Sequence, residues 1–272
     1  MPTSALVLAL GAAFLHAFWN LILARAPDIE AATAVALVTG VVVFAPVAAV
    51  AWDAEREVVP FLVATSILEL VYFVLLAAAY DRAELSFVYP IARGSAPVLV
   101  LLVAVAVLGD SASAAEVAGV LLVAAGVLLV RGIGREGSAR DLGLALAVAA
   151  SIAAYTLVDK HGIEYASPIV YLELSMIVPA AGLVVLTLAR RGRAAVRGAV
   201  GVPAVTAGLF AFGAYALVLA ALERAPAAPV AAVRETSVVI ATALAAPILH
   251  ERIGAVRLAG AVLVVVGIAL LA

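Results

Sequence analysis

The chain has 272 residues, 67% of them hydrophobic and 12% charged, with a mean hydropathy of +1.25. A soluble domain carries about 45–50% apolar and about 25% charged residues, so this composition excludes one and calls for a bilayer. The net charge of −2, from 16 Lys and Arg against 18 Asp and Glu, comes with no basic run and excludes nucleic acid as a partner, and the lack of Cys excludes disulfides and thiolate metal sites.

A bilayer core about 30 Å thick needs roughly 20 helical residues. Breaking the chain at charged, Gly and Pro clusters predicts about ten such runs, near 4–24, 31–51, 58–79, 86–108, 114–130, 142–158, 168–189, 201–222, 227–248 and 254–271. The first lacks the basic start of a secretory signal and is expected to stay as a span. It carries His16, Trp19 and Asn20, whose three- and four-residue spacings put them on one side of a helix. The third run places Tyr72 three residues after Glu69. The fourth, "FVYPIARGSAPVLV", puts Arg93 four residues after Tyr89 and between Pro90 and Pro97, with Pro97 the hinge candidate. The sixth holds Tyr155 and Thr156, the seventh Glu173 and the eighth Tyr215. The ninth starts with Pro226 and Pro229 and holds Arg234, Glu235 and Ser237.

The chain also repeats itself. "YDRAELSFVYPIARGSAPV…LGDSASAAEVAGVLLVAAGVLLV" returns as "LERAPAAPVAAVRETSVV…LHERIGAVRLAGAVLVVVGIALL", and Arg93, Asp110, Gly119 and Gly126 each fall 141 positions before Arg234, Glu251, Gly260 and Gly267. Tyr155 with Thr156 takes the repeat position of Trp19 with Asn20, and Tyr215 falls next to that of Tyr72. Two units of about five spans follow, 1–135 and 136–272. Five is odd, so the second enters the membrane from the opposite side. Such inverted repeats are a hallmark of secondary transporters, with binding sites near the midplane. The expected fold class is an all-α integral membrane protein of about ten transmembrane helices in two inverted five-helix repeats.

The paired half-terminal motifs, the "AAAYDRA" and "LAALERA" junctions, "HAFWN" and "YPIARGSAPV" together resemble the EamA-type transporters of the drug/metabolite transporter superfamily. The resemblance covers nearly the whole chain. It implies a bacterial inner-membrane permease or exporter of small metabolites, with a cavity lined by spans one, three, four, six, eight and nine. The loop "WDAEREVVP" departs from it, being acidic where relatives are often basic.

Eleven of the 16 Lys and Arg lie in odd-numbered connections (Arg25; Arg82; Arg131, Arg135, Arg140; Arg190, Arg191, Arg193, Arg197; Arg252, Arg257) and three in even ones (Arg56, Lys160, Arg224). Cytoplasmic loops collect such residues, so charge places both termini outside, whereas the resemblance implies cytoplasmic termini.

The other two cations, Arg93 and Arg234, lie about seven residues into their spans, roughly 10 Å deep at 1.5 Å per residue. An ionisable group at that depth costs about 2.5–3.5 kcal/mol and normally faces a bundle interior or wet cavity. Two roles are open. Ion pairs of Arg93 with Glu69, and of Arg234 with Glu173 or Glu235, lock helices together; or the guanidiniums offer forked donors to a substrate carboxylate or phosphate. The candidate substrate-binding set is Arg93, Arg234, Glu69, Glu235, His16, Trp19, Asn20, Tyr72, Tyr89, Tyr155, Tyr215 and Ser237. His16, Glu69 and Glu235 are the candidates for a coupling proton.

The three His lack metal-ligand spacing, and neither metal nor cofactor is expected. The expected partners are a small-molecule substrate and membrane lipid. Of the rival readings, a membrane enzyme acting on a lipid or prenyl substrate needs an interfacial acidic cluster, and Asp110, Glu116 and Glu251 are scattered. A non-transporting subunit predicts arginines in closed salt bridges and no cavity.

Overall fold

A computed structural model describes residues 1–82, 85–132, 138–249 and 254–272. Arg135, His250, Glu251 and Arg252 lie outside the described residues, as do the side chains of Arg82 and Arg131. The helices are α1 (Thr3–Leu23), α2 (Ile29–Val50), α3 (Val59–Arg82) after a 3₁₀ turn at Arg56–Val58, α4 (Leu85–Ala106), α5 (Ala114–Arg131), α6 (Ala139–Gly162), α7 (Pro168–Ala199), α8 (Val202–Leu222), α9 (Ala227–Arg234), α10 (Thr236–Leu249) and α11 (Ala255–Leu271). No strand occurs among the described residues. Among the described residues, eight apolar helical stretches are long enough to cross a membrane, with α9 and the start of α10 counted as one, and Ala114–Val130 and Ala255–Leu271 are shorter.

Each backbone polar group in hydrocarbon must be satisfied within its own segment, which leaves helices as the solution for runs this apolar. Helix starts are fixed where polar side chains reach orphan N–H groups. Asp28 accepts from Ala31 N at 3.0 Å, and Ser113 with Glu116 and Ser138 with Asp141 form capping boxes. Valines and leucines such as Val42, Val63, Leu102, Val185 and Val265 stand exposed around the outside, a surface suited to lipid rather than water.

The packing has an exchange pattern. α1 packs on α8 as α3 packs on α6; α2 lies on α8 as α3 lies on α7; α4 lies on α6 as α9 and α10 lie on α1; and α2 meets α7 as α5 meets α11. In the α5–α11 contact, the most extensive of all, a Cβ on Gly119 would come within 2.9 Å of Gly267 O and one on Gly126 within 2.6 Å of Gly260 O. The pairing of 119 with 267 and 126 with 260 means that the two helices run antiparallel, and their close approach requires glycine.

Three of the expected runs differ in detail. The ninth run is not one helix: at Glu235 the backbone tightens to i→i+3 bonds, Glu235 N to Ala232 O and Val238 N to Glu235 O, each 3.0 Å. No Gly or Pro marks this turn, and it directs both Arg234 and Glu235 inward. Conversely, α4 runs unbroken through Pro90 and Pro97. In α7 the expected span continues past its charged end, and the backbone breaks at Gly192 (φ 80°).

Candidate substrate cavity

The buried charges meet where α4, α9 and α1 pack together. Arg93 Nε lies 2.9 Å from Glu235 Oε2, and Arg93 Nη2 lies 3.1 Å from His16 Nε2 and 3.4 Å from Ser237 Oγ. The Tyr89 ring sits 6.0 Å from the guanidinium carbon. Arg93 therefore pairs with Glu235 and not with Glu69, correcting the pairing expected within the first half. The cause is packing: α4 lies against α9, while α3, which bears Glu69, packs on α6 and α7. Arg234 approaches the same carboxylate less closely, with Nε 3.9 Å from Glu235 Oε1. Glu173 forms no ion pair with it among the described residues.

The two arginines differ in what they leave unfilled. Arg93 is held from three directions, with Nε meeting Glu235 as an ion pair outside hydrogen-bond geometry and Nη2 meeting His16 and Ser237. Arg234, 4% exposed, keeps Nε and Nη2 without a hydrogen-bond partner, and a buried donor in that condition costs about 1–3 kcal/mol or more for a charged group. His16 receives Trp19 Nε1 at Nδ1, 3.3 Å away, and faces Arg93 at its other nitrogen. With donors on both sides and one acceptor lone pair on the neutral ring, it can satisfy one of them at a time.

Arg234 lines an inner cavity of ≈ 90 Å³ with His16, Trp19, Glu69, Tyr72, Arg93, Tyr155 and Tyr215. α2, through Thr33, Ala36 and Leu37, and α7, through Leu172 and Met176, line it as well, beyond the six helices that the resemblance implies. Tyr72, Tyr155 and Tyr215 form a chain of edge-on rings, with centroids 6.0 and 6.1 Å apart. A vestibule of ≈ 420 Å³ shares His16, Trp19, Tyr72 and Arg93 with the cavity and adds Asn20 and Tyr89. Asn20 Nδ2 is occupied by His16 O at 2.8 Å. Glu235 and Ser237 line neither space; they sit behind Arg93.

The vestibule opens among the C-terminal ends of α1 and α3 and the N-terminal ends of α2 and α4, the face that carries the arginine-rich connections. The opposite face is tied shut. Asp53 accepts from Ser167 N at 3.0 and 3.1 Å and from Ser167 Oγ at 3.0 Å, Glu55 N donates to Tyr165 O at 2.9 Å, and Phe61 stacks on Tyr165.

One residue escapes the sequence reading. Asp159, 1% exposed, accepts from Tyr171 at 3.0 Å and from the hydroxyls of Thr65 and Tyr215. The "DK" pair at 159–160 marks the end of the sixth apolar run, yet α6 continues to Gly162 and turns Asp159 inward. The available signal is its spacing, four residues after Tyr155 and so on the same face.

A bundle of apolar helices with a charged, aromatic-lined cavity open to one face defines a multi-pass membrane protein built around a central solute-sized space. The model of the EamA-like transporter family matches residues 3–132 and again 141–272, and the chain belongs to that family. A comparison with curated proteins finds no match. Among solved structures, one described only as "Crystal structure of protein" is 18% identical, covers 99% of this chain and 96% of its own, and superposes with a TM-score of 0.76, a likeness of fold.

Proposed function

We propose that the chain is a secondary transporter, not an enzyme, which carries a small polar or zwitterionic, amino acid-like metabolite across the bacterial inner membrane by alternating access. In this reading it has ten spans in two inverted five-helix repeats, 1–135 and 136–272. The antiparallel α5–α11 packing and the exchange pattern of helix contacts support the inversion, since equivalent helices of parallel repeats would align head to head. The single observation that carries the function is Arg234. A buried guanidinium with unfilled donors, facing a cavity that also holds Glu69 and three tyrosines, suits a ligand with a carboxylate at one end and an ammonium at the other.

The arginine bias puts the open face in the cytoplasm and both termini outside, which makes the observed state inward-open. A cytoplasm-only reporter fused after Ala272 stays inactive in that orientation, and activity there overturns it. The closed-salt-bridge reading accounts for Arg93 and leaves Arg234 unexplained. The enzyme reading meets an interface whose carboxylate Glu116 is committed to a helix cap.

Exchange of a mass-tagged amino-acid panel in proteoliposomes tests the function. Wild-type protein is expected to exchange at least one member and Arg234→Gln to lose that exchange. Equal rates for the two overturn the site.

A further inference from the structure

We propose that Glu69, Tyr215 and Asp159 form a proton-carrying relay that couples movement of the solute to a proton gradient. This rests on the transporter reading and names its coupling ion and path.

Three acids are buried at the centre, and they are not equivalent. Glu235 is committed to Arg93 and lies near Arg234. Asp159 is fully occupied as an acceptor, taking hydroxyl hydrogens from α3, α7 and α8, and has no ion-pair partner among the described residues. Glu69, 5% exposed, lines the cavity. His16, the other proton candidate, faces donors at both ring nitrogens, where an imidazolium would present only more donors.

The link between the acids is Tyr215. Its hydroxyl donates to Asp159 Oδ2, and Tyr215 lines the inner cavity together with Glu69. With that hydrogen directed at Asp159, the Tyr215 oxygen is left to accept, and a protonated Glu69 is the donor that the relay calls for. The charge count agrees. Arg93 and Arg234 bring two positive charges and Glu235 one negative; with Glu69 and Asp159 sharing one proton, the centre is neutral, which is the arrangement that leaves no buried charge uncompensated. The other groups facing the pair are Tyr72 on α3, Tyr155 on α6, Tyr171 on α7 and Arg234 on α9.

The step balances without any further reactant. The Glu69 O–H bond breaks as that proton joins the Tyr215 oxygen, and the original Tyr215 O–H bond breaks as its hydrogen joins Asp159 Oδ2. Tyrosine is unchanged, Glu69 becomes a carboxylate in the cavity, and Asp159 becomes a neutral acid. As a neutral acid Asp159 donates from Oδ2 to the Tyr215 oxygen, which now donates to Glu69, so the hydrogen bonds along the relay reverse direction while the Thr65 and Tyr171 hydroxyls stay on Oδ1. A Glu69 carboxylate in the cavity is then free to receive a substrate ammonium.

Infrared spectra of the purified full-length protein, recorded across a pH titration, test the relay through the band of the buried protonated carboxyl. Wild type is expected to show a titrating band that disappears in both Glu69→Gln and Asp159→Asn. Tyr215→Phe, which retains both acids and the ring, should keep the band at a shifted frequency. A wild-type protein without such a band, or a band unchanged in both acid variants, overturns the relay. In proteoliposomes loaded with the amino-acid panel, Asp159→Asn should lose more of its pH-driven uptake than of its equilibrium exchange. Wild-type uptake indifferent to the gradient overturns the coupling, whereas a wild type that moves no panel member overturns the transport reading and leaves the infrared result to decide the relay.

Discussion

The two faces of the bundle are built from corresponding connections and differ in whether those connections touch. At one face the segment after α2 holds the segment before α7, through Asp53 on Ser167 and Glu55 on Tyr165. At the other, the segment after α7 and the segment before α2 stand apart around a space of ≈ 880 Å³ lined by Arg25, Ala26, Pro27 and Asp28 on one side and Val200 and Gly201 on the other. The tied segment is polar, and its aspartate lies within reach of a helix start. Its counterpart, "GAVGVP", has no side-chain acceptor to offer. The difference teaches that the two faces are held by different chemistry: hydrogen bonds join the connecting segments at one, and at the other an ion-pair cluster ties α7 to the start of α2, with Glu30 3.3 Å from Arg191 and 3.8 Å from Arg190, while the connecting segments stay apart.

The largest effect tests what both faces share. Arg93→Gln leaves Glu235 buried without its close partner and should cost about 3–5 kcal/mol. Thermal unfolding of the purified protein reads this, and Arg93→Met combined with Glu235→Leu should regain much of the loss. An unchanged midpoint in Arg93→Gln would show the pair to be incidental. Next comes the scaffold between the halves. Gly126→Ala puts a Cβ 2.6 Å from Gly260 O and should cost about 1–3 kcal/mol without favouring either face, while Gly143→Ala, with open space around it, should be neutral or slightly stabilising. Equal stability of the two variants contradicts the close α5–α11 crossing.

A smaller effect separates the faces themselves. Asp53→Ala removes hydrogen bonds worth about 0.5–1.5 kcal/mol each and should shift the population toward opening at the tied face. The chain has no Cys, so Ser66→Cys alone, placed between that face and the cavity, reports the shift as faster labelling by a membrane-impermeant maleimide. Unchanged labelling means the tie does not gate. The smallest effect is expected at Arg224→Ala, an exposed residue paired with its own neighbour Glu223, within about 0.5 kcal/mol and with no shift in labelling.

Much of this architecture is legible in the sequence because a bilayer allows few alternatives: runs of about 20 apolar residues become helices, and a cation inside one stands out. Arg93, Arg234, Glu69 and the tyrosines around them are found that way, and the structure brings them to one cavity. What escapes is decided between helices. The partner of Arg93 comes from the other half of the chain, and helix packing alone selects Glu235 over Glu69. The turn at Glu235 has no Gly or Pro to announce it. Asp159 is hidden because a charged pair at the end of an apolar run looks like the start of a loop; only the extra turn of α6 and the three hydroxyls that converge on it make its burial tolerable.

The central claim is that the two faces exchange roles about the buried arginines. Electron-spin distance measurements on two double-cysteine variants test it most directly, Ala54→Cys with Ala166→Cys across the tied face and Ala26→Cys with Gly201→Cys across the open one. The expected result is two populations for each pair, with Asp53→Ala lengthening the first distance as it shortens the second. A single unchanging distance for both pairs, with and without Asp53, would contradict alternating access.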